Sequence, residues 1–133
     1  MNAGAAWARF GDGRWHFQHG PIDLVIGVDG DAAAVGLALA SAWARFAGVL
    51  EELVGELALL RAPCPPVARG DAPRGPIARR MADACRPYAE RFGLFVTPMA
   101  AVAGSVAQEI VAHFARPGIR RAWVNNGGDI ALW

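Results

Sequence analysis

The feature that most restricts the fold of this chain is a proline-rich segment near its middle. Residues 62–76 contain five prolines, at positions 63, 65, 66, 73 and 76, together with Gly70 and Gly75. Proline fixes φ and lacks a backbone amide hydrogen, so this composition excludes both a regular helix and a central strand. The segment predicts a long loop, with regular secondary structure on either side of it.

Ahead of this loop, the sequence predicts three strands. Residues 6–10 and 14–18 are strand-like and flank Gly11-Asp12-Gly13, whose Asp-Gly pair suits the positive-φ positions of a tight hairpin. Residues 22–28 are rich in β-branched side chains and predict a third strand. The residues after it, 29–31, form a turn that is suited to capping a following helix.

Helical stretches are predicted over residues 32–60, 77–91 and 98–115. The first is interrupted by glycines that mark where it bends or breaks, so one long helix and two shorter ones are both open: Gly36, Gly48 and Gly55. In the second, Pro87 is expected to end or kink the helix early. The apolar face of this second helix comprises Ile77, Met81, Ala84, Cys85 and Tyr88.

The order of these elements predicts the fold class. With further strands expected at residues 122–124 and 130–133, the chain reads as an α+β fold, or α/β sandwich. A mostly antiparallel sheet is expected to pack against the helices at 32–60, 77–91 and 98–115.

Charge and composition exclude several classes of protein. Thirteen basic residues, all arginine, stand against twelve acidic ones, a net charge of +1 with no long run of either sign. This balance predicts no nucleic-acid partner and favours a small, roughly neutral ligand or a protein partner. Residues 1–10 lack the pattern of a secretory signal, and the most apolar run, 32–44, is short for a membrane span. We therefore expect a cytoplasmic protein, in which Cys64 and Cys85 are plain thiols.

The histidines do not predict a metal site. His16 and His19 lie on a predicted strand, where alternation puts them on opposite faces of the sheet. Glu109 lies one helical turn before His113, a spacing that suits an acid–base pair. A histidine on an apolar stripe is more often a core residue, so no catalytic residue is assigned.

Two short segments carry the candidate chemistry, and the first runs from Thr97 to Gly104. Thr97 suits a helix N-cap, and Pro98 suits the first helical position, where its missing amide hydrogen has no cost. The following residues are nearly all small, so a flat ligand or another backbone can approach, and the amides of Met99 and Ala100 favour a phosphate. A helix whose small residues simply pack against a sheet is the alternative.

The second segment reads Asn125-Asn126-Gly127-Gly128-Asp129. Amide and carboxylate groups around two flexible glycines can hydrogen-bond a ribose or the edge of a heteroaromatic ring. The same residues also suit a polar turn between two strands, and such a hairpin needs no ligand. Spacing alone leaves both interpretations open.

Thr97-Pro98-Met99-Ala100-Ala101-Val102-Ala103-Gly104 and Asn125-Asn126-Gly127-Gly128-Asp129-Ile130-Ala131-Leu132 occur together in this chain. In that pairing the chain resembles a family of uncharacterised cytoplasmic ApbE-like proteins over about residues 22–133. That family is related to the ApbE flavin transferases, magnesium-dependent enzymes that bind FAD and attach FMN to a threonine of a partner protein. The resemblance implies an ApbE-like T-fold that binds FAD or FMN through ten cofactor-binding residues: Thr97, Pro98, Met99, Ala100, Gly104, Asn125, Asn126, Gly127, Gly128 and Asp129.

The chain also departs from the transferases. Thr97 stands in place of their acidic residue, Ala103 in place of their lysine, and Gln108 in place of a later aspartate. The transferases take their principal metal ligands from a segment beyond the Gly-Gly-Asp strand, and the printed chain ends at Trp133. We therefore expect a single ApbE-like domain over residues 1–133 that lacks its C-terminal half. Magnesium is expected only if that half supplies ligands, and a homo-oligomer or a completing second chain is expected as partner.

Two functional hypotheses follow. The first is a flavin- or dinucleotide-binding protein, with transferase-type chemistry confined to a longer form of the chain. It predicts that Gly128→Val abolishes flavin binding without unfolding the protein. The alternative is a non-catalytic binding or assembly subunit in sulfur or cofactor metabolism, which keeps the fold without the cofactor.

Overall fold

The computed structural model describes residues 4–64 and 72–133. The chain divides into two compact units, the first formed by Met1–Leu50 with Val106–Trp133 and the second by Glu51–Ser105. Seven residues of the predicted proline-rich loop, 65–71, lie outside the described residues, and the parts of it on either side, 62–64 and 72–75, are irregular. The prediction of one domain over residues 1–133 stays a prediction.

An antiparallel sheet of five strands forms the frame of the first unit within the described residues. The strands lie side by side in chain order, and every neighbouring pair is antiparallel. They are β1 (Ala6–Arg9), β2 (Trp15–His19), β3 (Ile22–Gly30), β4 (Ile119–Asn126) and β5 (Asp129–Leu132). The predicted α+β class with a mostly antiparallel sheet is confirmed.

The β1–β2 hairpin forms where the sequence predicts it. The amide of Phe10 donates to the carbonyl of Arg14 at 2.8 Å, and the amide of Gly13 donates to the carbonyl of Phe10 at 3.0 Å. Gly13 has a φ of 90°, which a side-chain-free residue adopts without strain. The Asp12 carboxylate accepts from the Arg14 amide, and this bond helps to hold the pKa of Asp12 below its ordinary value.

Alternation along β3 gives the sheet one buried face. Ile22, Leu24 and Ile26 are buried, whereas Asp23 between them is exposed. On the same side of the sheet, Phe17 of β2 meets Phe46 with ring centroids 5.5 Å apart. The core of the first unit therefore lies between this sheet face and the helix that carries Phe46.

The predicted helical stretch 32–60 is broken into three helices. They are α1 (Ala32–Phe46), α2 (Val49–Gly55) and α3 (Leu57–Leu60). The first break falls at Gly48 and the second just after Gly55, but α1 continues through Gly36 because one interior glycine costs a helix only about 1 kcal/mol. Asp31 occupies the N-cap position of α1 without a capping bond from its side chain, and its amide donates instead to the carbonyl of Gly118.

Within the helical stretch Ala32–Gly55, an 18-residue window has a mean hydropathy of 1.6, so the stretch is long and apolar enough to cross a membrane. That criterion uses length and composition only, and the core helix of a soluble protein meets it as well. One such stretch is weak evidence, and the cytoplasmic location stays a prediction.

The second unit contains α4 (Pro76–Phe92), which begins one residue earlier than predicted. Ile77, Met81 and Cys85 are buried as expected, whereas Ala84 and Tyr88 are exposed. The helix runs through Pro87 and ends at Gly93 with a φ of 62°, so the expectation of an early end is wrong. Asp83, whose carbonyl loses its usual partner at Pro87, is exposed, and water can replace that hydrogen bond.

The start of α4 is held by a carboxylate from earlier in the second unit. Glu56 accepts hydrogen bonds from the amides of Arg74 at 2.6 Å and Gly75 at 2.9 Å. These amides precede the first turn of α4, where the positive end of the helix dipole also stabilises a negative charge. A glutamate that sequence patterns did not single out therefore anchors the segment that leads into α4.

Candidate ligand site

The Asn-Asn-Gly-Gly-Asp segment forms a two-residue hairpin between β4 and β5. Gly127 and Gly128 both have positive φ, 61° and 107°, and Asn126 pairs with Asp129 across the turn. The side-chain oxygen of Asn125 accepts from the amide of Gly128 at 2.8 Å. Both glycines are therefore explained by the turn itself, and the turn is fixed before any ligand arrives.

The hairpin leaves its own main chain accessible. A Cβ added at Gly127 or Gly128 would meet no other atom within 4 Å. Both glycines and Asp129 are exposed, and Asn125 and Asn126 are half-buried. The three exposed residues can hence be approached on the glycine backbone or at the Asp129 carboxylate.

The first motif begins as a 3₁₀ turn, Pro98–Ala101, which leads into α5 (Val102–Val111). Pro98 is the first residue of the turn as predicted, but Thr97 makes no capping bond with its side chain. The amide of Ala100 donates to the carbonyl of Thr97 at 3.1 Å, so one of the two amides expected to face a phosphate is used inside the turn. A Cβ at Gly104 would meet nothing within 4 Å.

The two motifs belong to different units. Residues 97–104 lie in the second unit and residues 125–129 in the first. The assignment of Thr97, Pro98, Met99, Ala100 and Gly104 as cofactor-binding residues stays a prediction.

The sheet face that carries Trp123 holds a cleft that sequence patterns did not reveal. The cleft has a volume of about 340 Å³, and its lining includes Arg14, Gly27, Asp29, Arg121 and Trp123. Gly27 and Trp123 are directly paired across β3 and β4. A glycine within a run of β-branched residues signals that another group approaches the strand closely. The approaching residue is 96 positions away along the chain, so the sequence did not identify it.

The predicted Glu109–His113 pair contacts α1 through two partners. His113 Nδ1 lies 2.7 Å from Ser41 Oγ, and Arg45 Nε donates to Glu109 Oε2 at 2.8 Å. The Arg45 and Glu109 side chains are only 20% and 17% exposed. This arrangement is typical of a polar tie between packed helices and favours the core interpretation of His113.

Histidine and acidic side chains do not gather into a metal site in residues 4–64 and 72–133, where no group of three or more His, Cys, Asp and Glu is close enough to hold an ion. His16 pairs with Asp23 at 2.8 Å, whereas His19 lies near the ring of Phe46 on the buried side of the sheet. The predicted separation of the two histidines onto opposite faces is confirmed.

Comparison with known families decides the relationship. A family model described as AbpE bacteria matches residues 5–133. The chain belongs to the AbpE bacteria family. No curated protein and no solved structure matches it.

The AbpE bacteria match covers more of the chain than the motifs alone indicated. It begins at residue 5 and so includes the β1–β2 hairpin, whereas the resemblance carried by the motifs began at about residue 22. The hairpin and the residues that line the cleft beside it therefore lie within the region that the family model matches.

Neither thiol of this AbpE bacteria member is placed for nucleophilic chemistry. Burial raises the pKa of Cys85, which is buried, and of Cys64, which is half-buried. A raised pKa keeps a thiol protonated near neutral pH, and the thiolate is the reactive form. Burial therefore disfavours a nucleophilic role for both cysteines, and their assignment as plain thiols stays a prediction.

Acidification should weaken the first unit through His113. Burial lowers the pKa of His113 below its ordinary value of 6.5, so the unfolded chain takes up the proton at a higher pH than the folded chain. The resulting stability is complete above pH 6.5 and is lost as the pH falls through 6.5 toward the lower folded pKa. His113→Gln, which can still hydrogen-bond Ser41 but does not titrate, should remove this part of the pH dependence.

The measurement is the urea midpoint of wild type and His113→Gln at about pH 7.5 and about pH 5.5. All five tryptophans lie in the first unit, so their fluorescence reports its unfolding. We expect a larger drop in midpoint for wild type. An equal drop in both proteins would contradict the assignment of His113 as a residue buried in its neutral form.

Proposed function

We propose that this chain binds a flavin nucleotide, FAD or FMN, at its Asn-Asn-Gly-Gly-Asp hairpin. The observation that carries the proposal is the open main chain at Gly127 and Gly128, where a Cβ added to either residue would have no other atom within 4 Å. A ligand can approach the backbone of this turn directly, which side-chain-bearing residues would prevent. The family model that covers both motif segments supports the proposal, because the motif pair resembles that of ApbE-like flavin proteins.

The hairpin suits the polar part of such a ligand. Because Asn125 already holds the amide of Gly128, the turn loses little conformational freedom when a ligand binds. Asp129 is exposed at the start of β5, and its carboxylate can accept hydrogen bonds from ribose or ribityl hydroxyls. The proposed contacts therefore combine bare backbone with one exposed carboxylate acceptor.

Flavin transfer is not part of the proposal. Thr97, Ala103 and Gln108 stand where the transferases carry an acid, a lysine and an aspartate. The described residues also offer no cluster of carboxylates for magnesium, so they do not fit that metal. The function proposed is binding, with a small-molecule partner.

The test uses a substitution that preserves the turn. Gly127 has a φ of 61°, a conformation that asparagine tolerates, and Asn-Gly is a favoured sequence for a two-residue hairpin. Gly127→Asn should keep the stability of the chain and weaken FAD binding roughly tenfold or more, since its side chain occupies the approach to the backbone. The measurement is calorimetric titration of wild type and variant with FAD.

Gly128→Val is not a clean test, because the φ of 107° at Gly128 strains any β-branched residue. That strain costs about 1–3 kcal/mol and weakens the turn whether or not a ligand binds there. Gly127→Asn is therefore the better test, because loss of binding in Gly128→Val could come from a weakened turn. Equal FAD affinity in wild type and Gly127→Asn would contradict the proposal.

The alternative function, a non-catalytic assembly subunit, is favoured by the edge of the sheet at β5, which no further strand covers in the part of the chain that the structure describes. Strand β5 is an edge strand, and Ile130 and Leu132 on it are 57% and 76% exposed. Exposed apolar edges pair readily with other chains. This alternative would be supported by a folded wild-type chain that gives no binding heat with FAD and is a dimer or larger assembly under the conditions of that titration.

A further inference from the structure

The cleft on the Trp123 side of the sheet has the size of a site for one ring system. Its volume of about 340 Å³ lies near the lower end of ligand pockets in proteins, which hold about 300–1,000 Å³. The residues that line it come from the tip of the β1–β2 hairpin, from β3 and from β4. All of them belong to the first unit, whose strands fix their positions.

Trp123 provides a flat apolar surface in this cleft. The indole lies directly over Gly27, since a Cβ there would be only 2.2 Å from Cε2, 2.3 Å from Nε1 and 2.5 Å from Cζ2. The absence of a side chain at residue 27 lets the ring settle against the strand, and Trp123 stays half-exposed toward the cleft. An aromatic surface held in this way is a stacking platform for another ring.

The polar groups around the platform include both donors and an acceptor. Arg14 and Arg121 contribute guanidinium groups, and Asp29 contributes a carboxylate. Ion pairs hold these side chains: Arg14 Nε lies 2.8 Å from Asp12, and Asp29 lies 2.8 Å from Arg120. The hydrogen bond from Arg120 lowers the pKa of Asp29 and so keeps it an acceptor.

The charges around the cleft nearly cancel. Arg14, Arg120 and Arg121 are balanced by Asp12, Asp29 and Asp31, which are their ion-pair partners. The lining has two arginines against one aspartate, but Arg14 is paired with Asp12 and Arg121 with Asp29, so little positive charge is left for a phosphate. The charge balance therefore favours an uncharged ring over an anionic group.

We infer that this cleft binds a planar, uncharged heteroaromatic ring that stacks on Trp123. The ring carries an N–H group that donates to Asp29 and carbonyl oxygens that accept from Arg14 and Arg121. The isoalloxazine ring of a flavin has this pattern of donors and acceptors on one edge, and in naming it the inference rests on the proposed function. The glycine turn directly follows β4, four residues after Trp123. At the usual rise of a strand this is a distance of about 13 Å, so a chain attached to the ring can extend along β4 toward Gly127.

The test titrates the full chain with riboflavin, which has the ring but no phosphate, and follows the quenching of flavin fluorescence. Trp123→Ala should weaken riboflavin binding at least tenfold, while Trp123→Phe, which keeps an aromatic ring, should stay within about threefold. Trp7→Ala is the matched control, since Trp7 is also exposed and lies in the first unit but does not line the cleft. Thermal melts identify any variant that has lost its fold.

A second probe tests the role of Asp29. Riboflavin methylated at its ring N–H should bind the wild-type chain roughly tenfold more weakly than riboflavin, and Asp29→Asn should reduce that difference. The inference is overturned if wild type shows no saturable riboflavin binding, if Trp123→Ala binds as tightly as wild type, or if the methylated probe binds equally well. If FAD binding is weakened by Gly127→Asn but riboflavin binding is unchanged by Trp123→Ala, the ring site is wrong and the proposed function stands. If riboflavin binding is weakened by Trp123→Ala but FAD binding is unchanged by Gly127→Asn, the ring site stands and the proposed site at the turn is wrong.

Discussion

Gly30→Ala is expected to destabilise the first unit by about 3 kcal/mol. A Cβ at Gly30 would lie 2.3 Å from the carbonyl oxygen of Gly118 and 2.9 Å from the Cα of Ile119. Both are backbone atoms in a packed part of the sheet, so no flexible side chain can move away to make room. The same carbonyl accepts the amide of Asp31 at 2.8 Å, and any shift also weakens that bond.

The measurement is urea unfolding followed by tryptophan fluorescence, which reports the first unit. Gly36→Ala is the control, because a Cβ at Gly36 meets nothing within 4 Å and alanine favours the interior of α1 by about 1 kcal/mol. Opposite shifts of the two midpoints are expected. A Gly30→Ala midpoint equal to that of wild type would mean that Gly30 is not packed against Gly118 and Ile119 as described.

Phe46→Ala is expected to cost about 3–5 kcal/mol of the stability of the first unit. Phe46 is fully buried, and its ring meets Phe17 and Trp43 with centroids 5.5 and 6.0 Å apart. Truncation removes the whole ring and leaves a cavity among rigid aromatic neighbours that cannot collapse into it. The thermal midpoint and the urea midpoint should both fall.

Leu37→Ala on the same helix is the matched control for Phe46→Ala. Leu37 is 65% exposed, so its truncation should change stability by no more than about 0.5 kcal/mol. If the two variants lost stability equally, the core of the first unit would not lie between α1 and the sheet.

Features with a local signal were predictable from the sequence. The Asp-Gly and Gly-Gly turns place both hairpins, because few residues other than glycine adopt positive φ without strain. Pro98 marks the start of a helical turn, and Gly48 and Gly55 mark breaks, for similarly local reasons. Pro87 is the exception, since an amphipathic helix with solvent on its outer face absorbs one lost hydrogen bond.

Features that depend on distant pairing were not predictable. Gly27 meets Trp123, Gly30 meets Gly118, and Ser41 meets His113, each across more than seventy positions of chain. The register that brings them together is set by the packing of whole strands and helices, which one sequence does not reveal. For this reason the motifs of the candidate site were found, but the cleft around Trp123 was not.

The structure also changes how the motif residues are understood. Asn125 was expected to face a ligand, and its side-chain oxygen instead holds the turn. Ala100 was expected to offer a free amide, and that amide closes a 3₁₀ turn. A motif can therefore specify its own local geometry, and the residues that this geometry leaves open, Asp129 and the glycine backbone, are the ones on which the proposed binding depends.

The central claim is that this chain binds a flavin nucleotide at the Gly127–Gly128 turn, and one calorimetric titration with FAD tests it most directly. We expect saturable binding to one site per chain, weakened roughly tenfold or more by Gly127→Asn with no loss of thermal stability. A folded wild-type chain that gives no saturable heat with FAD would contradict the claim.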